Sequence, residues 1–186
     1  MARKARLLSP GSPMYVQAKG LPSLKIFASD EMKLTFLAWL RDAAKTYQLT
    51  IHAYSILPNQ LEMLVTPKDE FSLSRTMQSL CRRFTQRFNQ QHHKTGTVWQ
   101  GRYHSKMIES DQDLLMCQAM IDLGSVKEKL VTHPEHYIWS SYRIHTGQES
   151  NYGLVDVLPF WHLGNTPFER QQNWRNWLTE LSFQQS

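Results

Sequence analysis

The chain has 186 residues, 41% of them hydrophobic and 11% aromatic, with a formal net charge of +5. Such a composition predicts one folded domain with a sizeable core and excludes a disordered or low-complexity chain. No apolar run approaches the roughly 18 residues that span a bilayer, and the start MARKARLL lacks the apolar stretch of a signal peptide, so a cytoplasmic protein with no membrane partner is expected.

The elements follow in chain order. Tyr15, Val16 and Gln17 form a short strand-like piece after the loop SPGSP. Residues 30–47 read as a helix, with Asp30 as N-cap and Phe36, Trp39, Leu40, Ala43 and Tyr47 on one stripe. The runs LTIHAYSIL (49–57) and QLEMLV (60–65) are joined by Pro58-Asn59, which is turn chemistry, and predict an antiparallel pair. Residues 72–91 carry Leu73, Met77, Leu80, Cys81, Phe84 and Phe88 on one face of a helix, with Arg75 and Arg82 opposite and Arg83 and Arg87 flanking. VWQGRYHSKMIE (98–109) is strand-like towards its end, and a helix from about Asp111 to Leu123 faces Leu114, Leu115, Cys117 and Ile121 inwards. HPEHYIWSSYRIHTG reads as packed loop and residues 150–165 as irregular. A last helix runs from Pro167 to Phe183, with Phe168, Trp174, Trp177 and Leu178 as its apolar side. The order β-α-β-β-α-β-α predicts an α+β fold: a ferredoxin-like split βαβ, with helices on one face of an antiparallel sheet, plus a C-terminal helical extension.

Charge is unevenly spread. Between Arg75 and Lys106 stand seven basic residues (Arg75, Arg82, Arg83, Arg87, Lys94, Arg102, Lys106) and no acid, so this stretch carries +7 and the remainder 5 − 7 = −2. A second basic knot, Arg3, Lys4 and Arg6, opens the chain. Concentrated positive charge predicts a polyanion partner; a merely solvated face is the alternative. Arg82, Arg83 and Arg87 have no acid nearby in sequence and are expected to grip phosphates, as are Lys94, Arg102, Lys106 and the Arg3–Lys4–Arg6 arm. Trp99 is a stacker for unstacked bases or else a core anchor.

The two cysteines, Cys81 and Cys117, exclude a disulfide framework and a Cys-based zinc site. His133 and His136 have an i, i+3 spacing, but Pro134 between them and the lack of a third ligand point to a loop role; His92 and His93 are expected in solvent.

The run HAYSILPN, the helix end FTQRFNQQH, the block TGTVWQGRY and the later YIWSSY, in that order, resemble the HUH-type single-tyrosine transposases, in particular their REP-associated branch, over about Tyr15–Tyr142. The resemblance implies residues 1–146 as a DNA-binding domain for single-stranded or hairpin DNA and residues 147–186 as an extension, in a monomer or a homodimer. It also implies two histidines, one residue apart on the strand after the Pro-Asn turn, that hold a divalent ion, and a helical tyrosine that attacks the phosphate. This chain has Gln60 and Glu62 at the histidine positions, Met120 at the tyrosine and Gly124 where a polar residue completes the metal shell. A thioether cannot form a phosphotyrosine link. The expectation is a DNA-binding protein without catalysis and without a required cofactor, with Glu62 at most a weak ligand for Mg²⁺ or Mn²⁺. Two other readings stay open: a nickase that uses Glu62 with another nucleophile, such as Tyr103, Tyr137 or water, and a protein-interaction module.

Overall fold

In the computed structural model, residues 10–158 and 160–184 are described; the Arg3–Lys4–Arg6 arm lies outside them. Strand β1 (Met14–Lys19) is followed by helix α1 (Asp30–Thr46), the hairpin β2 (Leu49–Leu57) and β3 (Gln60–Pro67), helix α2 (Ser72–His92), strand β4 (His104–Met107) and helix α3 (Asp111–Asp122). The short helices α4 (Gly124–Lys127) and α5 (Tyr142–His145) and the long α6 (Pro167–Gln184) complete the chain, with 3₁₀ turns at Pro134–His136 and Trp161–Leu163. All four strands join one sheet in the order β2-β3-β1-β4, antiparallel throughout. This is the expected split βαβ arrangement.

Side-chain alternation sends one half of each strand to each face. Met14, Val16 and Ala18 of β1 and Leu61, Met63 and Val65 of β3 pack with Phe36 and Leu40 of α1 and with Leu73, Leu80 and Phe84 of α2 in the main core. At its centre the Phe84 ring lies 4.9 Å from Phe27, 5.6 Å from Phe36 and 5.2 Å from Trp99, centroid to centroid, so edge and tilted contacts between rings fix the helix layer to the sheet. Helix α3 takes the opposite face: Cys117 and Ile121 pack on Ala53 of β2 and Leu64 of β3. The two helices of the split βαβ thus share one face, and the seventh element covers the other.

Strand β2 serves both cores because of a bulge between Ile51 and Ala53. In a regular strand Ile51 and Ala53, two residues apart, would point the same way; because His52 bulges out of the ladder, Ile51 faces the main core and Ala53 faces α3. His52 holds the bulge, its ring nitrogens bonding to the Asp156 carbonyl at 2.9 Å and the Thr66 hydroxyl at 2.8 Å. The outer edge of β2 is covered by later chain: Ile56 N–H donates to the Trp139 carbonyl, Ser141 N–H to Tyr54 and Asp156 N–H to Ile51. The segment expected as packed loop therefore seals a sheet edge, and it contains α5.

Two local expectations are corrected. The N-cap of α1 is Ser29, whose hydroxyl accepts from Met32 N–H at 3.2 Å; Asp30 is the first helical residue and pairs with Lys33. A hydroxyl in extended conformation one residue earlier reaches the free N–H groups, while the carboxylate serves the helix dipole. On α6, Trp174 and Leu178 are buried against Ala119, Leu123 and Tyr142, but Phe168 is 72% exposed and lies off the apolar face.

Candidate functional site

The sheet face beneath α3 carries a polar row. Strand register aligns Ser55 with Glu62, Glu62 with Gln17 and Gln17 with His104; the next row pairs Leu64 with Tyr15 and Tyr15 with Lys106. Antiparallel partners point to one face, so residues from four strands converge here. Glu62 is the hub. Its Oε1 accepts from Tyr15 Oη at 3.0 Å and from Gln17 Nε2 at 3.0 Å, with Gln60 Nε2 at 3.5 Å.

Three of the four positions singled out from the sequence meet: Gln60 and Glu62 on β3, and Gly124 at the start of α4. A methyl group built on Gly124 would lie 3.5 Å from Glu62 Oε2 and 3.5 Å from Ser55 Oγ, so the backbone there rests against the carboxylate. Ser55 Oγ is buried and has no hydrogen-bond partner among the described residues. Met120, one helical turn earlier, is 53% exposed and points into a groove of about 360 Å³ whose floor includes Tyr15.

Tyr15 and Gln17 complete this cluster around Glu62, and the sequence reading gave neither a place in it. Burial, then the Glu62 charge and its hydrogen bond, raise the phenol above its ordinary pKa, so the proton stays on Oη. Cys117, above it, is likewise pushed up to about 12, by burial first and by Glu62 second, and remains a thiol. The other two tyrosines considered are occupied in the fold. Tyr103 packs against the main core, and buried Tyr137 donates to the Ile56 carbonyl at 2.6 Å.

A divalent cation does not fit this donor set. One carboxylate and two amides converge here, while the imidazole of the row, His104, stands two strands from Glu62 on β4, and the phenol and amide N–H groups aim their protons at Oε1, one of the two oxygens that a metal would use. No cluster of three His, Cys, Asp or Glu side chains suited to a metal occurs among the described residues, and His133 and His136 have no third ligand there.

The basic residues divide between two sides. On the outer surface of the helix layer, Arg83 lies over the Trp39 ring at 4.9 Å and Arg87 pairs with Glu31 at 3.1 Å, while Arg82 is exposed. Glu31 lies 56 residues from Arg87, beyond any local search for acids. Lys94 and Arg102 are exposed on loops, and Lys106 on β4 stands on the Glu62 side, beside Tyr15. Trp99 is 5% exposed, its ring against Phe27 and Phe84 and its N–H donating to the Cys81 carbonyl. It takes the core-anchor role, and its faces are closed to bases.

Behind the site lies a buried ionic knot that periodicity could not show. Asp122, at the end of α3, is fully buried and accepts from His145 Nδ1 at 2.7 Å, Trp174 Nε1 at 3.0 Å and Ser141 Oγ at 3.2 Å. His145 Nε2 meets the His52 carbonyl at 2.8 Å. Both ring partners only accept, so both nitrogens must donate and His145 is an imidazolium. Burial opposes that charge, but the Asp122 carboxylate, its hydrogen bond and the His52 carbonyl outweigh it and raise the pKa. Ser141 bonds to the aspartate rather than to the histidine, so this is no nucleophilic triad; it binds α3, α5 and α6 together.

Residues 24–122 match the family profile described as "Transposase IS200 like". Among solved structures, a REP-associated tyrosine transposase bound to a REP hairpin superimposes with a TM-score of 0.63 at 14% identity, over 85% of this chain and 99% of that one. A candidate transposase from Deinococcus radiodurans R1 gives a TM-score of 0.44 at 18% identity, over 64% of this chain and 95% of that one. No curated protein matches the sequence. No helix among the described residues is long and apolar enough to cross a membrane.

Proposed function

The chain belongs to the IS200-like transposases, the HUH-type single-tyrosine family, and from that membership we propose that it binds single-stranded or hairpin DNA without cutting it. The observation that carries this reading is the state of Glu62. Its oxygen is filled by a phenol and an amide, and the side chain one turn before Gly124 is the thioether of Met120. Phosphoryl transfer by this family's chemistry needs a polarised phosphate and an activated phenol; here burial and Glu62 hold the proton on the phenol, and an amide and a carboxylate stand at the positions of the two metal-binding imidazoles. Exposed Arg82, Lys94, Arg102 and Lys106 supply phosphate contacts, and Arg83 and Arg87 join them by exchanging Trp39 and Glu31 for phosphate. The hairpin in the transposase of like fold supports the choice of ligand. Arg3, Lys4 and Arg6 add to the same charge from outside the described residues.

The test is an electrophoretic shift with a labelled DNA hairpin, run with and without Mg²⁺ or Mn²⁺ and scored for cleavage on a denaturing gel. Binding that weakens steeply with salt and leaves the strand whole is expected. A nicked product that disappears in Glu62→Ala overturns the reading.

A second reading rests on the 3.0 Å contact between Tyr15 Oη and Glu62. Here Tyr15 is a non-standard nucleophile: the Oη–phosphorus bond forms, the bond to the deoxyribose 3′ oxygen breaks, Glu62 takes the phenolic proton, and water protonates the departing 3′ oxygen to a hydroxyl. Its mark is a covalent protein–DNA adduct, absent in Tyr15→Phe.

A further inference from the structure

We propose that the crevice at the Lys19 end of β1 seats a backbone phosphate of a single-stranded DNA extension, gripped by Lys19 and Lys129, an inference that rests on the DNA-binding reading above. The crevice holds about 300 Å³ between the β2–β3 turn and the chain that leaves α4, and Lys19, Asn59, Gln60, Gln100, Glu128 and Leu130 are among its walls. Lys129 stands at its rim, since both its chain neighbours line the opening. Neither lysine belongs to a basic run of the sequence; Lys19 ends β1, Lys129 follows α4, and the fold brings them to one place.

Lys129 holds a conformation that lysine disfavours. Its φ is 56°, in the left-handed region where a Cβ is crowded and glycine is the usual residue after a helix. Gln48 and His93 end α1 and α2 in the same way, but Lys129 brings an ammonium group there. The fold gives that charge little to do. Helix α4 has four residues, a single turn, so its dipole offers a cation little. Lys19 and Lys129 are both exposed, and neither makes an ion pair among the described residues. Backbone strain that no packing contact requires points to a ligand.

The walls select phosphate. Gln100 is held against β1 by its N–H, which donates to the Lys19 carbonyl at 2.9 Å, and its exposed side chain offers amide donors, as does half-buried Gln60. Asn59 is engaged with the Gly20 and Leu21 carbonyls and builds the wall. No aromatic ring lines the crevice among the described residues, so a base has no platform to stack on. Two ammonium groups face one carboxylate, that of Glu128, and leave the opening net positive. Lys19 lies about 13 Å along β1 from Tyr15, the partner of Lys106, so this contact is separate from that of Lys106.

The probes are fluorescein-labelled DNA hairpins: one blunt, one with four-nucleotide dT extensions at both ends, and one whose extensions are joined by uncharged methylphosphonates. Affinities are measured by anisotropy over a range of salt. Wild type is expected to bind the charged extension about tenfold tighter than the uncharged one. In Lys19→Gln/Lys129→Gln this advantage should shrink by about threefold or more, with the salt slope lower by about 1 for each lysine removed, while affinity for the blunt hairpin is kept. Lys129→Gly loses part of the advantage yet melts about 2 °C higher, because glycine takes that φ freely. A double variant that keeps the wild-type ratio of charged to uncharged extension overturns the phosphate site while hairpin binding stands, and so does a wild type that binds both extensions alike. Absence of binding to every hairpin removes the DNA-binding reading and this site with it.

Discussion

Replacing Asp122 by asparagine keeps the shape of the side chain and removes the charge that three buried donors share. In the native fold the carboxylate satisfies His145, Trp174 and Ser141 and sits in ionic contact with a fully enclosed imidazolium. Removing one member of a buried pair leaves the other charge without compensation, which costs about 3–5 kcal/mol. For a chain of this length each kcal/mol moves the melting temperature by about 2–4 °C, so Asp122→Asn is expected to melt about 6–20 °C lower. The pH profile gives a second signature. His145 has a raised pKa, so its contribution is fully present below the ordinary histidine value of about 6.5 and is lost as pH rises through the raised value. Wild-type melting, followed by circular dichroism from pH 6 to 9, should therefore fall with rising pH beyond what Asp122→Asn shows. A variant that melts within two or so degrees of wild type, with the same pH slope, would refute an ionic knot at this site.

Three further outcomes follow from the geometry. Tyr15→Phe removes a hydrogen bond to a charged group and is expected to cost about 1.5 kcal/mol in urea denaturation, with hairpin affinity unchanged because the ring remains. Arg102→Glu/Lys106→Glu should weaken hairpin binding at least tenfold and lower the slope of log affinity against log salt by about 2; an unchanged slope would remove these residues from the phosphate contacts. The quadruple variant Gln60→His, Glu62→His, Met120→Tyr, Gly124→Asn should fold, since a methyl group at Gly124 meets its neighbours at ordinary contact distances of 3.5 Å, and should bind Mn²⁺ in calorimetry. A folded variant that takes up no metal would show that these four positions do not form the family's site.

The order of the first seven elements was legible because apolar spacing changes from period two to period 3.6 along them and Pro58-Asn59 lies where the chain turns, whereas the short helices α4 and α5 carry too few residues for a period to show. The convergence of Gln60, Glu62 and Gly124 was legible from the resemblance. Tyr15 could have been found: the split βαβ order puts β1 beside β3, and a strand whose Met14, Val16 and Ala18 turn inward must turn Tyr15 and Gln17 towards the Glu62 face. Contacts between distant segments were not legible. Arg87 meets Glu31 across two helices, and Asp122 meets Trp174 across 52 residues. Neither pair carries a local pattern, and charge counted along the sequence overstates what is left for a ligand. Trp99 shows the same limit: its neighbours Gln100 and Arg102 are exposed, but the indole itself closes the aromatic cluster.

The additional residue in β2 has a wider consequence. Ser55 stands across from Glu62, and Ile56 lies in the main core, only because the phase of the strand is reset near His52. Drawing that histidine into the regular ladder would invert every side chain downstream to the hairpin turn, setting isoleucine against a carboxylate and a serine hydroxyl among phenylalanines, whereas deleting it would leave both faces as they are and remove only the kink with its two anchors. The strand can lose this one residue more readily than it can pair it.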